Sequence, residues 1–373
     1  EMKSLVALSP SAMKNWKEFA RRLLTHRNPY TGLTYAEDPA LYSLNLVNEN
    51  PLLSIWNRVP ALIPLFEAEY GNFLKKRGLD TPENRASRGG LFMEFLNDLQ
   101  IRCIREQKRF LKQELKLNAL ITDLNMHSRF PLNEVREHLD FVDNHQYWDH
   151  PSFPVRQWGM PYLFSNMSSI SRFAQNPRTL MPARIFGKPY TVTEFNFCSP
   201  NPYRMEAPSL IGGYAGLQDW DGLYRFAWSH NRFNMEKINV PMGFDIVNDP
   251  QAQLAERIIH LLFLQEYIRP AKPGFAFTCT PAQLRALTGP PESDGNFPED
   301  FTLLGLYGRI GSLNGNSSWP GVLRLTPLTD GWKNQLPREV QSVLKRAEET
   351  GTITSAGGEL SLNTRERSLK ILA

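Results

Sequence analysis

Two stretches decide how this chain reads: Leu44-Asn45-Leu46-Val47-Asn48-Glu49-Asn50 and Pro189-Tyr190-Thr191-Val192-Thr193-Glu194-Phe195-Asn196. Each is a short β-like apolar run that meets a glutamate near its end. A carboxylate there is costly inside a core and useful at the mouth of a barrel. In an eight-stranded α/β barrel the reacting groups stand at the C-terminal ends of the strands. Two such carboxylates, flanked by amides and aromatics, are the equipment for cleaving a glycosidic bond.

Working outward, the chain alternates helix-like and strand-like segments, which predicts βαβ units and a parallel sheet. Ser11 to His26 has helical spacing at Met13, Trp16, Phe19, Ala20, Leu23 and Leu24, with Ser9 or Ser11 as cap. The first glutamate strand runs from Tyr42 to Asn48. Next come a long helical stretch from Pro51 to about Arg77 and a helix from about Leu91 to Leu115. Strands are expected at Ala119 to Asp123 and at Phe141 to Asp143, with Pro131 to His138 helical between them. The segment from about Asp149 to Gly187 is irregular and rich in Pro, Ser, Asn and aromatics, and loops of that length usually serve a function. Ile211 to Leu217 reads as helix, Gly222 to Trp228 as strand, and Gln251 to Tyr267 as the last strong amphipathic helix. After Pro270 turn signals multiply, with β-like runs at Thr302 to Leu306, Gly321 to Leu325 and Leu360 to Leu362. The expected organisation is a barrel over residues 1–268 and a smaller β-rich domain over residues 269–373.

Bulk properties narrow the function. The 42 basic and 38 acidic residues leave a net charge of +4 over 373 residues, too little and too dispersed for a nucleic-acid-binding stripe. No apolar run is long enough to span a bilayer, and the N-terminus has no signal-peptide pattern. Three widely spaced cysteines, Cys103, Cys198 and Cys279, form neither a disulfide framework nor a metal motif.

Between the glutamates lies His145-Gln146-Tyr147. Its first and third residues alternate along a strand end and face the same way. A tyrosine hydroxyl donating to Glu194 favours the carboxylate anion. Asn48 is placed to donate to a sugar hydroxyl beside the reacting carbon. The order Asn-Glu, His-x-Tyr, Glu, Trp resembles that of the clan A glycoside hydrolases, retaining enzymes on a (β/α)8 barrel. There Asn48-Glu49 matches the end of the fourth strand, His145-Gln146-Tyr147 the sixth, Glu194 the seventh and Trp228 the eighth. Asn28 to Asn50 and Gly213 to His230 look like a bacterial β-galactosidase- or β-mannanase-like branch. The resemblance covers roughly residues 1–268. It implies Glu49 as acid/base, Glu194 as nucleophile, and Asn48, His145, Tyr147, Trp228, His230 and Asn196 as sugar-binding residues. It also implies a carbohydrate substrate, no cofactor or metal, and a secreted or periplasmic bacterial setting.

The clan usually carries an Arg on its second strand and often a His on its third, and neither strand is visible here. The chain therefore reads as an N-terminally incomplete barrel, an excerpt of a longer enzyme. A non-catalytic glycan-binding barrel is the alternative. His145, Asp149 and His150 suggest a metal, but their His-x4-His spacing fits no common zinc pattern. Trp148, Trp158 and Trp220 are candidate sugar platforms, Asn125 a candidate hydroxyl ligand, and Cys198 a small buried apolar residue rather than a nucleophile.

Overall fold

The computed structural model describes residues 2–238 and 243–372. The chain packs as two compact units. The first runs up to Asp143 and includes Cys279–Asn296; the second comprises Asn144–Thr278 and the chain from Phe297 onward.

In the first unit a helix spans Pro10–Leu24. Ser9 is its cap: the backbone there is extended and its hydroxyl accepts from the Ala12 N–H. Strand β1 (Ser43–Asn45) pairs in parallel with β2 (Leu120–Thr122), Leu44 opposite Ile121. β1 is shorter than the run of apolar residues predicts. Beyond Leu46, whose N–H still reaches the Thr122 carbonyl, side chains replace the neighbouring strand as acceptors.

The expected helix from Pro51 to Arg77 is broken into Leu52–Ile55, Pro60–Leu62 and Ile63–Lys76. Pro60 is the cause: it has no N–H to donate and forces Val59 out of the helical region, to φ −118° and ψ 100°. The long helix Gly90–Arg109 runs on into a wider turn at Phe110–Glu114. Its buried face carries Phe92, Phe95 and Leu96 against Phe66, Tyr70 and Leu74. Trp56 and Tyr70 both meet Phe92 edge-on, with centroids 4.8 and 5.0 Å away. Cys279–Asn296 docks where this helix begins. The Gly90 N–H donates to the Leu287 carbonyl, and a Cβ at Gly90 would fall 1.8 Å from the Leu284 oxygen.

In the second unit β3 (Val142–Trp148, entered from the first unit), β4 (Tyr190–Phe197) and β5 (Gly222–Arg225) form one sheet in that order, β4 and β5 parallel. The helix Glu206–Gln218 links β4 to β5. Three of its residues are glycines, which lets its neighbours approach closely. A Cβ at Gly212 would lie 3.0 Å from the Ile259 Cα, and one at Gly213 would lie 3.3 Å from Leu360.

Parallel pairing continues past Arg269. β6 (Gly274–Phe277) lies between β7 (Arg309–Ser312) and β8 (Val322–Leu325) and is parallel to both. β9 (Thr352–Thr354), β10 (Leu360–Asn363) and β11 (Ser368–Ile371) form an antiparallel meander. One expected strand is helical instead: Thr302 to Leu306 falls in Glu299–Leu303 and the 3-10 turn Leu304–Leu306. Pro298 precedes this helix, and Glu299 and Asp300 sit in its first turn, where a helix favours negative charge. Phe301 through Leu306 are buried on every face, so no periodicity distinguishes helix from strand.

Candidate active site

Glu194 stands in the second unit, inside an irregularity of β4. The register runs Val192 to Leu223 and then Phe195 to Arg225, so β4 holds one more residue than β5 over this interval. Such a bulge re-aims side chains. In a regular strand Thr193 and Glu194 would face opposite ways; here both reach His145. The His145 Nε2 lies 3.0 Å from the Thr193 hydroxyl and Nδ1 lies 3.5 Å from Glu194 Oε1. The Tyr147 hydroxyl donates to Glu194 Oε2 at 2.5 Å. His145 and Tyr147 therefore act on the two oxygens of one carboxylate, as their alternation along β3 predicts.

Rings hold Tyr147 in place. Phe244 lies against it with centroids 4.3 Å apart, and Phe226 meets it edge-on at 6.0 Å. Asn196 fixes both neighbours: its side-chain amide donates to the carbonyls of Phe226 (2.9 Å) and Phe244 (2.6 Å). Buried and committed to the backbone, Asn196 builds the wall instead of presenting an N–H to a ligand. Trp228 is 52% exposed, and the ring against Tyr147 is that of Phe226. His230 extends the cluster, edge-on to Phe226 at 5.0 Å. Its backbone N–H and its Nδ1 both meet the buried Asp245, whose other oxygen accepts from Asn234. Asp245 and Phe244 have no signal in the sequence, because no spacing rule links them to the strand ends.

The other candidates separate by their surroundings. Asp149 is satisfied by neutral donors: the Ser165 N–H and hydroxyl on one oxygen, the Asn166 N–H and Asn201 amide on the other. These bonds pin the Asp149 to Gly187 segment, and they explain the aspartate without a metal. His150 donates from Nδ1 to the Pro151 carbonyl. Trp148 is buried, with its indole N–H on the Met167 carbonyl, and Trp220 is buried against Tyr190. Trp158 is 64% exposed and packs edge-on to His150, which in turn meets Tyr147. Burial pushes the Cys198 thiol up to about 12, so it carries no thiolate near neutrality.

In the first unit Glu49 lies beyond β1 with φ at +52°, a left-handed conformation unusual for a residue with a side chain. Its N–H donates to Asn125 Oδ1 at 2.7 Å, and its carboxylate is half-buried, 3.7 Å from the Lys3 ammonium. Asn125 also donates to Asn48 Oδ1 at 3.1 Å. Asn125 thus supports the Asn48-Glu49 pair from behind. Asp123 is fully buried and accepts from the Val47 N–H and the Asn50 amide. Burial pushes its carboxyl up to about 7, against the pull of Asn50 and the backbone of Val47 and Leu124.

No protein-family model matches the chain. No curated protein matches it in sequence either. Among solved structures, it is similar to the endo-β-1,4-mannanase of Thermotoga petrophila: TM-score 0.43, 15% identity, 73% of this chain and 56% of that one. The endo-1,4-β-mannanase of Rhizomucor miehei gives TM-score 0.41 and 12% identity over 69% of this chain and 63% of that one. The glycoside hydrolase family 5 mannosidase of Rhizomucor miehei gives 0.37 and 14% over 68% and 58%. The chain spans little more than half the length of the first of these. Likenesses this distant define neither fold nor function, so the functional reading rests on the residues. Among the described residues no helix is long and apolar enough to cross a membrane.

Proposed function

We propose that this chain is a retaining glycoside hydrolase that cleaves β-glycosidic bonds in oligo- or polysaccharides by double displacement. The observation that carries the reading is the contact between Tyr147 and Glu194, with His145 on the other carboxylate oxygen. A carboxylate held at both oxygens by residues of the neighbouring strand is fixed in direction, as a nucleophile must be. The fold that goes with this reading is a (β/α)8-type barrel.

In the first step Glu194 attacks the sugar carbon while Glu49 protonates the departing glycosidic oxygen. In the second, Glu49 takes a proton from water, whose oxygen attacks the same carbon and releases Glu194. Both steps need only two carboxyl groups and water, with no organic cofactor or metal. Asn48, Tyr147, His145, Trp228 and His230 are the proposed sugar contacts. Asn196, which the family resemblance places among them, acts on this proposal by positioning Phe226 and Phe244.

Kinetics of two variants on aryl β-glycosides and an unactivated oligosaccharide test the assignment. Glu194→Gln abolishes turnover of all substrates with the fold intact. Glu49→Ala cripples the unactivated substrate far more than activated aryl glycosides. Equal loss on both would remove Glu49 from the acid/base role, and full activity of Glu194→Gln would overturn the reading.

A further inference from the structure

The turn that carries Glu49 is held by a buried polar network with Asp123 at its centre. Past Leu46 the chain has left the β1–β2 ladder, yet the N–H groups of Val47 and Glu49 still need acceptors. Two side chains spaced by the same period provide them: Asp123 Oδ1 takes the Val47 N–H at 3.2 Å, and Asn125 Oδ1 takes the Glu49 N–H at 2.7 Å. The network closes behind the turn. Asn50 donates its amide to Asp123 Oδ2 at 3.0 Å and accepts from the Leu124 N–H at 3.4 Å. Gln100 accepts the Leu52 N–H at 3.0 Å and points its amide at Asp123 Oδ2 from 3.5 Å. Asp123, Asn50, Gln100 and Asn125 are all buried.

We infer that Asp123, together with Asn125, is a positioning residue for Glu49, an inference that rests on the acid/base role proposed above. The residue type fits the task. Once ionised, above its raised titration near 7, the aspartate only accepts, and the Val47 N–H, the Asn50 amide and the Gln100 amide that face it are all donors. Asparagine would set an NH2 against one of those donors. The left-handed backbone at Glu49 shows what the network achieves. That conformation sends the side chain in a direction a relaxed residue would not take, and it persists where the surroundings over-determine it.

The test is leaving-group dependence in the intact chain. A displaced acid fails where protonation is needed and matters little where the leaving group departs unaided. Asp123→Asn lowers kcat/KM on an unactivated oligosaccharide by about a hundredfold, the cost of a misplacement of about 1 Å, and slows a dinitrophenyl glycoside far less. Asn125→Ala, which removes the acceptor of the Glu49 N–H, shows the same selectivity and carries the test should Asp123→Asn not fold. Equal slowing of both substrates by the folded variants, or no slowing, overturns the inference while leaving a selective Glu49→Ala effect standing. Loss of selectivity in Glu49→Ala itself counts against the acid/base reading instead.

Discussion

Tyr147 donates its hydroxyl to Glu194 across neighbouring strands, oxygen to oxygen at 2.5 Å. The ring beneath that hydroxyl is clamped by Phe244 and Phe226, so removing the hydroxyl alone leaves the packing in place. A hydrogen bond to a charged group contributes roughly 1.5–3 kcal/mol. Tyr147→Phe should therefore lower kcat by roughly ten- to a hundredfold. The melting temperature should fall by no more than a few degrees. Steady-state kinetics and a thermal melt on one preparation check this. A large loss of stability with unchanged kcat would make the contact structural.

Asp123 couples the first unit to pH. Its carboxyl titrates near 7 in the folded chain and near its ordinary value when unfolded. Between those values the folded state holds a proton that the unfolded state has lost. Its contribution to stability is therefore complete below about pH 4 and is lost as pH rises through about 7. The span corresponds to on the order of 4 kcal/mol. Urea unfolding at about pH 4.5, 6 and 8 should show the wild type losing stability relative to Asp123→Asn. A constant difference across that range would contradict the assignment.

Trp158 is the one of the three candidate tryptophan platforms that solvent reaches. It connects through His150 to Tyr147, and its neighbour Phe153 lies 5.0 Å away. A ring placed there fits the apolar face of a further sugar unit. Trp158→Ala should raise KM on a long β-glycan by about tenfold, as for loss of one to a few kcal/mol of stacking, and affect a single-sugar aryl glycoside far less. Kinetics on the two substrates decide it; equal effects would make Trp158 a loop anchor.

Gly90 tests the docking of Cys279–Asn296. An alanine Cβ would have to displace the Leu284 carbonyl, which is backbone with little room to move. Gly90→Ala should destabilise the first unit by about 1–3 kcal/mol, the usual cost of overpacking. Denaturant titration measures it. A neutral or stabilising result, as expected of glycine to alanine in an unobstructed helix, would mean the segment can shift.

Much of this is legible in the sequence because strand periodicity is local. The alternation of His145 and Tyr147 places both on Glu194, and the apolar runs before both glutamates are strands paired in parallel. The features that escape a sequence reading depend on partners distant along the chain. β1 ends early because Asp123 and Asn125 replace a strand as acceptors; in sequence Asp123 reads as the end of a strand and Asn125 as a candidate hydroxyl ligand just past it. The packing of Phe226 on Tyr147 has no signal in the sequence, because β5 ends at Arg225 and the bond from Asn196 to the Phe226 carbonyl sets the path of the chain beyond it. Thr302 to Leu306 reads as strand in sequence because burial of Phe301 through Leu306 erases periodicity.

On the proposed mechanism Glu194 forms a covalent bond to sugar, and mass spectrometry after reaction with a panel of 2-deoxy-2-fluoro-β-glycosyl fluorides detects that bond. The electron-withdrawing fluorine slows both steps, while the fluoride leaving group keeps the first fast enough for the glycosyl-enzyme to accumulate. One added sugar should appear, carried by the peptide containing Glu194 and absent in Glu194→Gln. A chain that turns over aryl β-glycosides yet carries no label, or carries it on another residue, would exclude Glu194 as the nucleophile.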